Sequence, residues 1–420
     1  KSYGTVTLEQ LDPDPDTGTN PDTGPGTDPG DSHQPEAPNP VHPGSGGTAS
    51  ALSSYFRQST HSTHQALVDY YALSASSAVF NPVLNYTTLF DGSGKTANTV
   101  AQLSTYGGIA PSTLAVQGST RAALNRRLGL GAQHLSADQQ ARSAQDAVMW
   151  LTPSYSFHDS SGLNNDRLDY GVELELYGLS LGSDLALTPH SRIGVVLSLG
   201  EGKVEGNEAA TGVSNDFDYY SLGLYGAYEL EPLILVADLS YSAVSNELSA
   251  ATAMGQVNTE VDSSSWSAGL SAQLNLNLGA LTLSPHLGLS YQHLSFEDYD
   301  LTFNNTTCAH YSAESMQLWS LPLGLTLASE LNTGSWSIKP SLDLSLIPYW
   351  GDADQDSTVR WSGLTRSYHT TSAIIDELTY EATLGLSAQS GTLALGLEFS
   401  YSGSEHSDGL GLSAHAHYRF

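Results

Sequence analysis

Apolar and polar residues alternate in the final segment of the chain. In residues 410–420 every second residue is Leu, Ala, Tyr or Phe, and the residues between them are Gly, Ser, His or Arg. Successive side chains of a β-strand point to opposite faces, so the pattern predicts a strand with one apolar and one polar face. A half-buried strand of a soluble protein alternates in the same way, and this segment alone leaves both settings open.

The same alternation recurs upstream, with clusters of Gly, Asn, Asp, Ser and Pro between the segments. Twelve predicted strands lie near residues 147–158, 168–185, 192–204, 216–230, 233–248, 262–278, 280–296, 311–331, 335–350, 375–388, 392–402 and 410–420. Many exceed the roughly six residues of a soluble strand. Tight connections, such as 231–232, alternate with long ones at 200–215, 297–310 and 351–374. These features predict an all-β fold, an antiparallel twelve-stranded outer-membrane β-barrel.

Composition agrees with many strands and turns and excludes some functions. The chain has 40 glycines, 22 tyrosines and only 3 methionines, and it contains no apolar run long enough for a membrane-spanning helix. With 44 acidic residues against 14 Lys and Arg, its formal charge of −30 argues against nucleic acid as a partner. The single cysteine, Cys308, follows a run of Asn and Thr that predicts an exposed loop and a thiol without function.

The N-terminal part of the chain divides into two short regions by composition. Residues 1–10 contain a short alternating segment with no neighbouring strand to pair with, so we expect the end of something larger. Residues 11–49 are rich in Pro, Asp, Gly and Thr and predict an acidic, disordered linker. The Asp-x-Asp-x-Asp spacing from Asp12 is an alternative calcium signal. It departs from the EF-hand pattern, because Gly18 is one place late for the turn.

Residues 50–145 change to a helical period, and positive charge is concentrated there. Helices are predicted over 66–73 and 115–128, and Gly129 gives a stop signal for the second. Three arginines and an asparagine of interest lie on this second helix: Arg121, Asn125, Arg126 and Arg127. A solvated helix end, where cations offset the C-terminal dipole, is the simpler interpretation of the arginines.

Residues 50–420 resemble the translocator unit of classical (type Va) autotransporters. The stretches that carry the resemblance are 101–104 with the helix that ends at 126–129, then 150–155, 169–172, 177–184, 216–226 and the terminal Phe420. The resemblance implies a twelve-stranded barrel whose lumen is plugged by an α-helix, and an N-terminal passenger that the barrel secretes or displays. Residues 1–10 would then be a passenger remnant, 50–145 a pre-barrel segment with the plug helix, and 146–420 the transmembrane barrel.

The resemblance also implies partners and a location. The chain would sit in the cell outer membrane, with its N-terminal region at the cell surface. Its partners would be its own passenger, outer-membrane lipid and lipopolysaccharide, and the β-barrel assembly machinery. Tyr418 and Phe420 at the chain terminus resemble the signal that this machinery reads.

Strand parity suggests partners for the arginines of the plug helix. Parity directs seven carboxylates to the lumen, opposite the lipid-facing Leu and Tyr of the same strands: Glu173, Glu175, Asp238, Asp343, Glu377, Glu381 and Glu398. A carboxylate inside a narrow barrel is costly without a partner. We therefore expect Arg121, Arg126 and Arg127, with Asn125 beside them, to lie in the lumen and to pair with some of these groups.

Motifs for other chemistry are weak, and we expect neither an enzyme nor a cofactor nor a metal site. Gly178-Leu179-Ser180-Leu181-Gly182 lies in an alternating strand, whereas a hydrolase needs a sharp strand-to-helix turn there. Some members of the family that the chain resembles cut their passenger free inside the lumen, with barrel carboxylates acting on an Asn-containing helix. Asn125 resembles such a site, but the doubled Asn of that subgroup is absent from the helix. Two alternatives remain: a porin-like channel without a passenger, and an outer-membrane enzyme using His158, Asp159 or His293.

Overall fold

Two helices and a large antiparallel sheet make up the described part of the chain. The structure, a computed structural model, describes residues 62–74, 108–128, 147–165, 168–252 and 255–419. The predicted regions 1–10 and 11–49, and Phe420, lie outside these residues. Within 50–145 the structure has two helices, α1 (Ser62–Ser74) and α2 (Ile109–Leu128). Neither described helix is both long and apolar enough to cross a membrane.

Twenty strands form one sheet. They are β1 (Ala147–Ser160), β2 (Leu163–Asn165), β3 (Leu168–Thr188), β4 (Ser191–Glu208), β5 (Val213–Leu230), β6 (Leu233–Thr252), β7 (Gly255–Leu274), β8 (Leu276–Leu278), β9 (Leu281–Phe296), β10 (Tyr299–Phe303), β11 (Thr306–Ala313), β12 (Met316–Ser320), β13 (Leu323–Ser329), β14 (Leu331–Thr333), β15 (Trp336–Gly351), β16 (Asp354–Trp361), β17 (Tyr368–Ala373), β18 (Leu378–Ser390), β19 (Leu393–Gly403) and β20 (Ser407–Arg419).

The sheet is closed, because antiparallel pairing runs from β1 through β3 to β7, then β9, β12 and β13, β15, β18, β19 and β20. β20 pairs with β1, and Trp150 lies opposite His417 across this seam. Closure satisfies the backbone groups that an open edge would leave unpaired in lipid. The predicted antiparallel barrel is confirmed. The number twelve stays a prediction, since several predicted strands are divided into shorter ones.

The outward face of the barrel wall is apolar. On the closing strand, Leu412 is 56% exposed, whereas the alternate residues Ser413 and His415 are each 3% exposed. Exposed leucines at every second position recur on the neighbouring strands, as in Leu393, Leu395 and Leu397. Such a surface would be unfavourable in water and fits a belt in contact with lipid.

All three segments predicted as long loops consist largely of strand, and in the first, 200–215, only residues 209–212 lie between β4 and β5. Residues 297–310 contain β10 and most of β11, and residues 351–374 contain β16 and β17; we call these four strands with their connections the extension. The extension pairs internally and joins the barrel wall at β7 and β2, so the sheet continues beyond the barrel strands. The prediction of an exposed Cys308 is wrong, because its side chain is fully buried in the core of the extension. Asn304 and Asn305 adopt positive φ angles in the β10–β11 turn, a conformation that Asn tolerates.

The outward face of β4 to β7 carries a row of charges at the end of the barrel where the extension joins β7. Lys203 lies opposite Asp216, Asp216 opposite Glu247, and Glu247 opposite Glu260, and all four are exposed. Like charges directly opposite each other on a sheet are destabilising. Charged side chains also mark this part of the wall as lying beyond the lipid belt.

Exchange of Glu247 for Lys should stabilise the barrel. In Glu247→Lys a cation replaces the central carboxylate between Asp216 and Glu260, and each favourable pair contributes roughly 0.2–1 kcal/mol. We expect a higher temperature of unfolding, followed by heat-dependent gel mobility. Lys203→Glu is the matched reversal and should lower that temperature. Both shifts should shrink at high salt, and equal shifts for the two variants would contradict the argument.

A histidine in the connection between β19 and β20 should give the barrel a pH-dependent stability. His406 Nδ1 lies 2.7 Å from Asp376 Oδ1, and this hydrogen bond raises the pKa of the imidazole more than partial burial lowers it. Because the imidazole pKa is higher in the folded than in the unfolded state, the interaction with Asp376 stabilises the fold. Its contribution is complete at pH values below the ordinary histidine pKa of about 6.5. The contribution is lost as the pH rises through the raised value.

Asp376→Asn should therefore lower the unfolding temperature near pH 6 and leave it unchanged near pH 9. The effect is small, because His406 is partly exposed and solvent screens the pair. The same variant measured at several pH values provides the control for general damage to the turn. A decrease that is equal at all pH values would show that the pair does not titrate as argued.

Candidate functional site

Helix α2 lies inside the barrel. Ten of its twenty residues are buried, and its polar side chains bond to inward-facing residues of β6 and β7. The helix begins after Gly108, whose φ of +72° suits glycine and whose Cα leaves no room for a Cβ beside Val204. Pro111 falls in the first turn, where the missing N–H costs nothing. The helix thus starts six residues before the predicted segment 115–128.

Neutral hydrogen bonds hold the middle of α2 to the wall. Gln117 Nε2 donates to Ser240 Oγ at 2.5 Å. Its carbonyl oxygen, Oε1, accepts from Ser242 and from Ser265, each at 3.0 Å. One buried amide is therefore satisfied by three serines on β6 and β7. Sequence reasoning missed these residues, although short hydroxyl side chains at alternate positions mark the inward face of both strands.

A second group of neutral contacts lies near the start of α2. Ser112 Oγ donates to Asn246 Oδ1 at 3.0 Å, and Thr113 Oγ1 lies 2.8 Å from Ser263 Oγ. Asn246 also donates to Ser263 Oγ at 3.1 Å, so the helix and both strands share one network. Val116, on the adjoining helix face, packs in an apolar cluster with Val204 and other inward residues.

The most deeply buried ion pair of α2 lies near its C-terminal end. Arg127 donates from Nε to Asp184 Oδ2 at 2.5 Å and from Nη2 to Oδ1 at 2.7 Å. Arg192 also bonds to Asp184, and Tyr225 donates to it at 2.7 Å. The side chains of Arg127 and Asp184 are 1% and 0% exposed. Asp184 was not among the predicted carboxylates, although its parity with Ser180 on β3 places it inward.

Two further arginines of α2 contact the wall. Arg126 Nε lies 2.5 Å from Glu398 Oε2 on β19. Arg121 donates from Nη2 to Ser267 Oγ at 2.8 Å, and the same nitrogen lies 3.8 Å from Asp238 Oδ2. The structure therefore brings together two of the predicted carboxylates with arginines of the helix. Asn125 is half-buried, and its side chain makes no hydrogen bond to another residue of the described chain.

The predicted inward direction of Glu173 and Glu175 is wrong. Both lie on the outward face of β3, where Tyr155 and Tyr177 are the nearest hydrogen-bonding partners of Glu175, at 3.4 and 3.5 Å. The inward residues here are apolar: Val172, Leu174 and Leu176 are buried in the cluster that contains Val116. Parity was assigned on the assumption that apolar residues face lipid, but at this level they pack on α2.

Three other predicted carboxylates do not contact α2. Asp343 is inward but bonds to barrel residues, with His286 Nε2 at 2.7 Å, Thr326 Oγ1 at 2.6 Å and Ser345 Oγ at 2.8 Å. Glu381 accepts a hydrogen bond from Thr383 at 3.2 Å; Arg126 is near enough to interact with its charge, but the two form no ion pair among the described residues. Glu377 is exposed in the connection before β18.

The closing strand β20 presents different residues to its two sides. Tyr418 is outward and 48% exposed. His415 and His417 are inward and buried, and no ring nitrogen of either bonds to another described residue. The ring of His415 lies against Gly396, where a Cβ would collide with it. Over the described residues, no three His, Cys, Asp or Glu side chains are placed to hold a metal ion.

Comparison with known proteins gives a family and a fold. The family model for the autotransporter β-domain matches residues 149–402. The translocator domain of the autotransporter NalP from Neisseria meningitidis is 14% identical, with a TM-score of 0.51 over 73% of this chain and 98% of that one. The β-domain of the Bordetella autotransporter BrkA is 15% identical, with a TM-score of 0.48 over 65% and 98%.

The transport unit of the autotransporter AIDA-I from Escherichia coli is 13% identical, with a TM-score of 0.47 over 66% of this chain and 90% of that one. No curated protein matches the chain. The match to the family model covers more than half of the chain and most of the closed sheet that encloses α2. The chain therefore belongs to the autotransporter β-domain family, the outer-membrane translocators of passenger domains.

Proposed function

We propose that this barrel delivers the N-terminal region of its own chain to the cell surface and afterwards keeps α2 in the lumen as a plug. The observation that carries the proposal is the buried pair of Arg127 and Asp184, because it fixes the helix to the wall. If the helix left the wall, Asp184 would remain in the lumen without Arg127, and an unpaired buried charge is costly. The plug would rest on this pair, on Arg126 with Glu398, and on the neutral bonds of Gln117.

The direction of delivery follows from the two ends of the barrel. Outer-membrane barrels have short turns on the periplasmic side and longer connections on the outer side. Ile109, the first residue of α2, packs in a cluster with the extension, which lies at the end with long connections. The chain before α2 would therefore leave the lumen at the cell surface. Residues 1–10 would be the end of the passenger and 11–49 its linker.

The partners would follow from the outward face and the chain terminus. The belt of exposed leucines would contact outer-membrane lipid and lipopolysaccharide. Tyr418 and Phe420 would serve as the signal for the β-barrel assembly machinery. We propose no catalytic role for the chain.

The alternative is a solute channel of the porin type, and conductance in planar bilayers separates the two. The proposal predicts small currents for the full chain, because α2 fills part of the lumen. Deletion of residues 109–128 should give larger and steadier currents. Asp343→Asn is the matched control, since this inward carboxylate contacts only the barrel, and it should leave the currents small. A large, steady conductance of the unaltered chain would favour the channel.

A further inference from the structure

Helix α1 is packed into the extension by its apolar side. Ala66, Leu67 and Tyr70 are each 0% exposed. They belong to one buried cluster with the inward residues of β5 to β7 and with aromatic residues of the extension, among them Tyr311 and Trp361. Burial of three side chains of a short helix is a substantial apolar contact.

A polar contact lies next to the apolar side of α1. Tyr368 donates from its hydroxyl to Asp69 Oδ2 at 2.8 Å. Arg366 Nη1 lies 3.6 Å from the same oxygen, and its guanidinium stands 5.6 Å from the centre of the Tyr368 ring. The acidic side chain of α1 thus meets a basic and a hydroxyl group of the extension, so the contact has charge complementarity as well as apolar area.

The order of the chain determines when this contact can form. α1 precedes α2, whereas every strand that surrounds α1 follows α2. Ile109, at the start of α2, lies in the same cluster as Leu67, at the end of the barrel with long connections. Under the proposed direction of delivery, α1 reaches the extension only after it has crossed the membrane. Before that moment the apolar surface of the extension has no α1 to cover it.

We propose that the extension is a docking site for α1 that is filled only after α1 has crossed, and that this docking retains the delivered segment outside. The inference rests on the proposed function. A binding event available on one side alone shifts the equilibrium towards that side by its own free energy. Docking of α1 therefore opposes movement of the chain back into the lumen. It holds the N-terminal region at the surface in addition to the attachment of α2 inside the barrel.

Leu67→Asp tests the docking site, with Leu73→Asp as the matched control. Leu67 is buried, whereas Leu73 on the same helix is 39% exposed. A carboxylate at position 67 would be buried without a partner, so we expect the docked fraction to fall by at least about tenfold. The readouts are cleavage of residues 62–74 by protease added to intact cells and the surface exposure of an N-terminal epitope with time. Leu67→Asp should increase cleavage and slow exposure, and Leu73→Asp should do neither.

A charge exchange tests the contact directly. Asp69→Arg and Arg366→Asp should each raise cleavage of α1 by roughly twofold to fivefold, because each places like charges together at a partly exposed site. The double variant should restore part of the protection. Heat-dependent gel mobility checks that every variant forms the barrel. If Leu67→Asp does not form the barrel, the charge variants still test the docking site.

The outcomes separate this inference from the proposed function. An epitope that never reaches the surface in the unaltered chain would refute the proposed function. Normal display, with identical cleavage of α1 in the unaltered chain, Leu67→Asp and the charge variants, would refute the docking site alone. Restored protection in Asp69→Arg/Arg366→Asp would support the contact between α1 and the extension.

Discussion

Replacement of Asp184 by Asn is expected to release α2 from the barrel wall and to raise the conductance of the pore. The carboxylate accepts two bonds from Arg127, one from Arg192 and one from Tyr225. An amide has one acceptor oxygen in place of two and no charge, so two buried guanidinium groups lose their counterion. Removal of one partner from a buried pair costs about 3–5 kcal/mol.

Two measurements check this expectation, namely conductance in planar bilayers and the unfolding temperature of the barrel. Glu398→Gln removes the carboxylate partner of Arg126, and this pair is less deeply buried than Arg127 with Asp184. We therefore expect a smaller increase in conductance for Glu398→Gln than for Asp184→Asn. Asp343→Asn changes an inward carboxylate that does not touch the helix and should leave conductance unchanged. An unchanged conductance for Asp184→Asn would show that the remaining contacts of the helix are sufficient to hold it in the lumen.

Gly182→Ala should destabilise the closed barrel strongly. A Cβ at Gly182 would lie 2.1 Å from Cε2 of the Trp150 ring, which packs across the glycine on the neighbouring strand. Trp150 cannot retreat freely, because its Nε1 donates to Tyr225 at 2.8 Å and Tyr225 in turn donates to Asp184. The methyl group must therefore displace the Trp150 ring, which is bonded through Tyr225 to the Asp184 carboxylate that pairs with α2. We expect this to cost roughly 1–3 kcal/mol of barrel stability.

The folded fraction recovered after refolding into detergent, and its unfolding temperature, measure this effect. Gly226→Ala is the matched control, since a Cβ there meets only the carbonyl oxygen of Arg192 at 3.6 Å, an ordinary contact. Both substitutions replace glycine by alanine in a barrel strand, so the loss of backbone freedom in the unfolded chain is the same in the comparison. Equal losses for the two variants would mean that the packing of Trp150 is unimportant.

Alternation was sufficient to predict the closed antiparallel wall but not the contents of the barrel. On β20 the alternation alone assigns Leu412 to the outward face and His415 to the inward face, and no information about the neighbouring strands is needed. On β3 the same rule failed for Glu173 and Glu175, because Leu174 and Leu176 face a helix that the strand sequence does not contain. An apolar residue shows that its surroundings are apolar, whether lipid or protein.

The contacts of α2 were predictable in chemical type and only partly in identity. Positive charge on the helix and carboxylates on the wall suggested ion pairs, and the structure places Arg126 beside Glu398. Asp184 and the serines around Gln117 were missed, because their pairing depends on the rotation and depth of the helix in the lumen. The extension was missed because Asn304 and Asn305 suggested a loop, whereas they form the turn of a hairpin.

The serines of β6 and β7 that bond to Gln117 would be free to bond to another segment of polypeptide when α2 is not in the lumen. Ser240, Ser242 and Ser265 can each donate or accept by rotation about a single bond. At these three serines the wall offers an extended polypeptide several weak, interchangeable hydrogen-bonding partners, whereas the inward residues Leu174 and Leu176 of β3 are apolar. A chain moving past these serines would exchange one hydroxyl for the next at little cost, so this part of the wall does not discriminate between sequences.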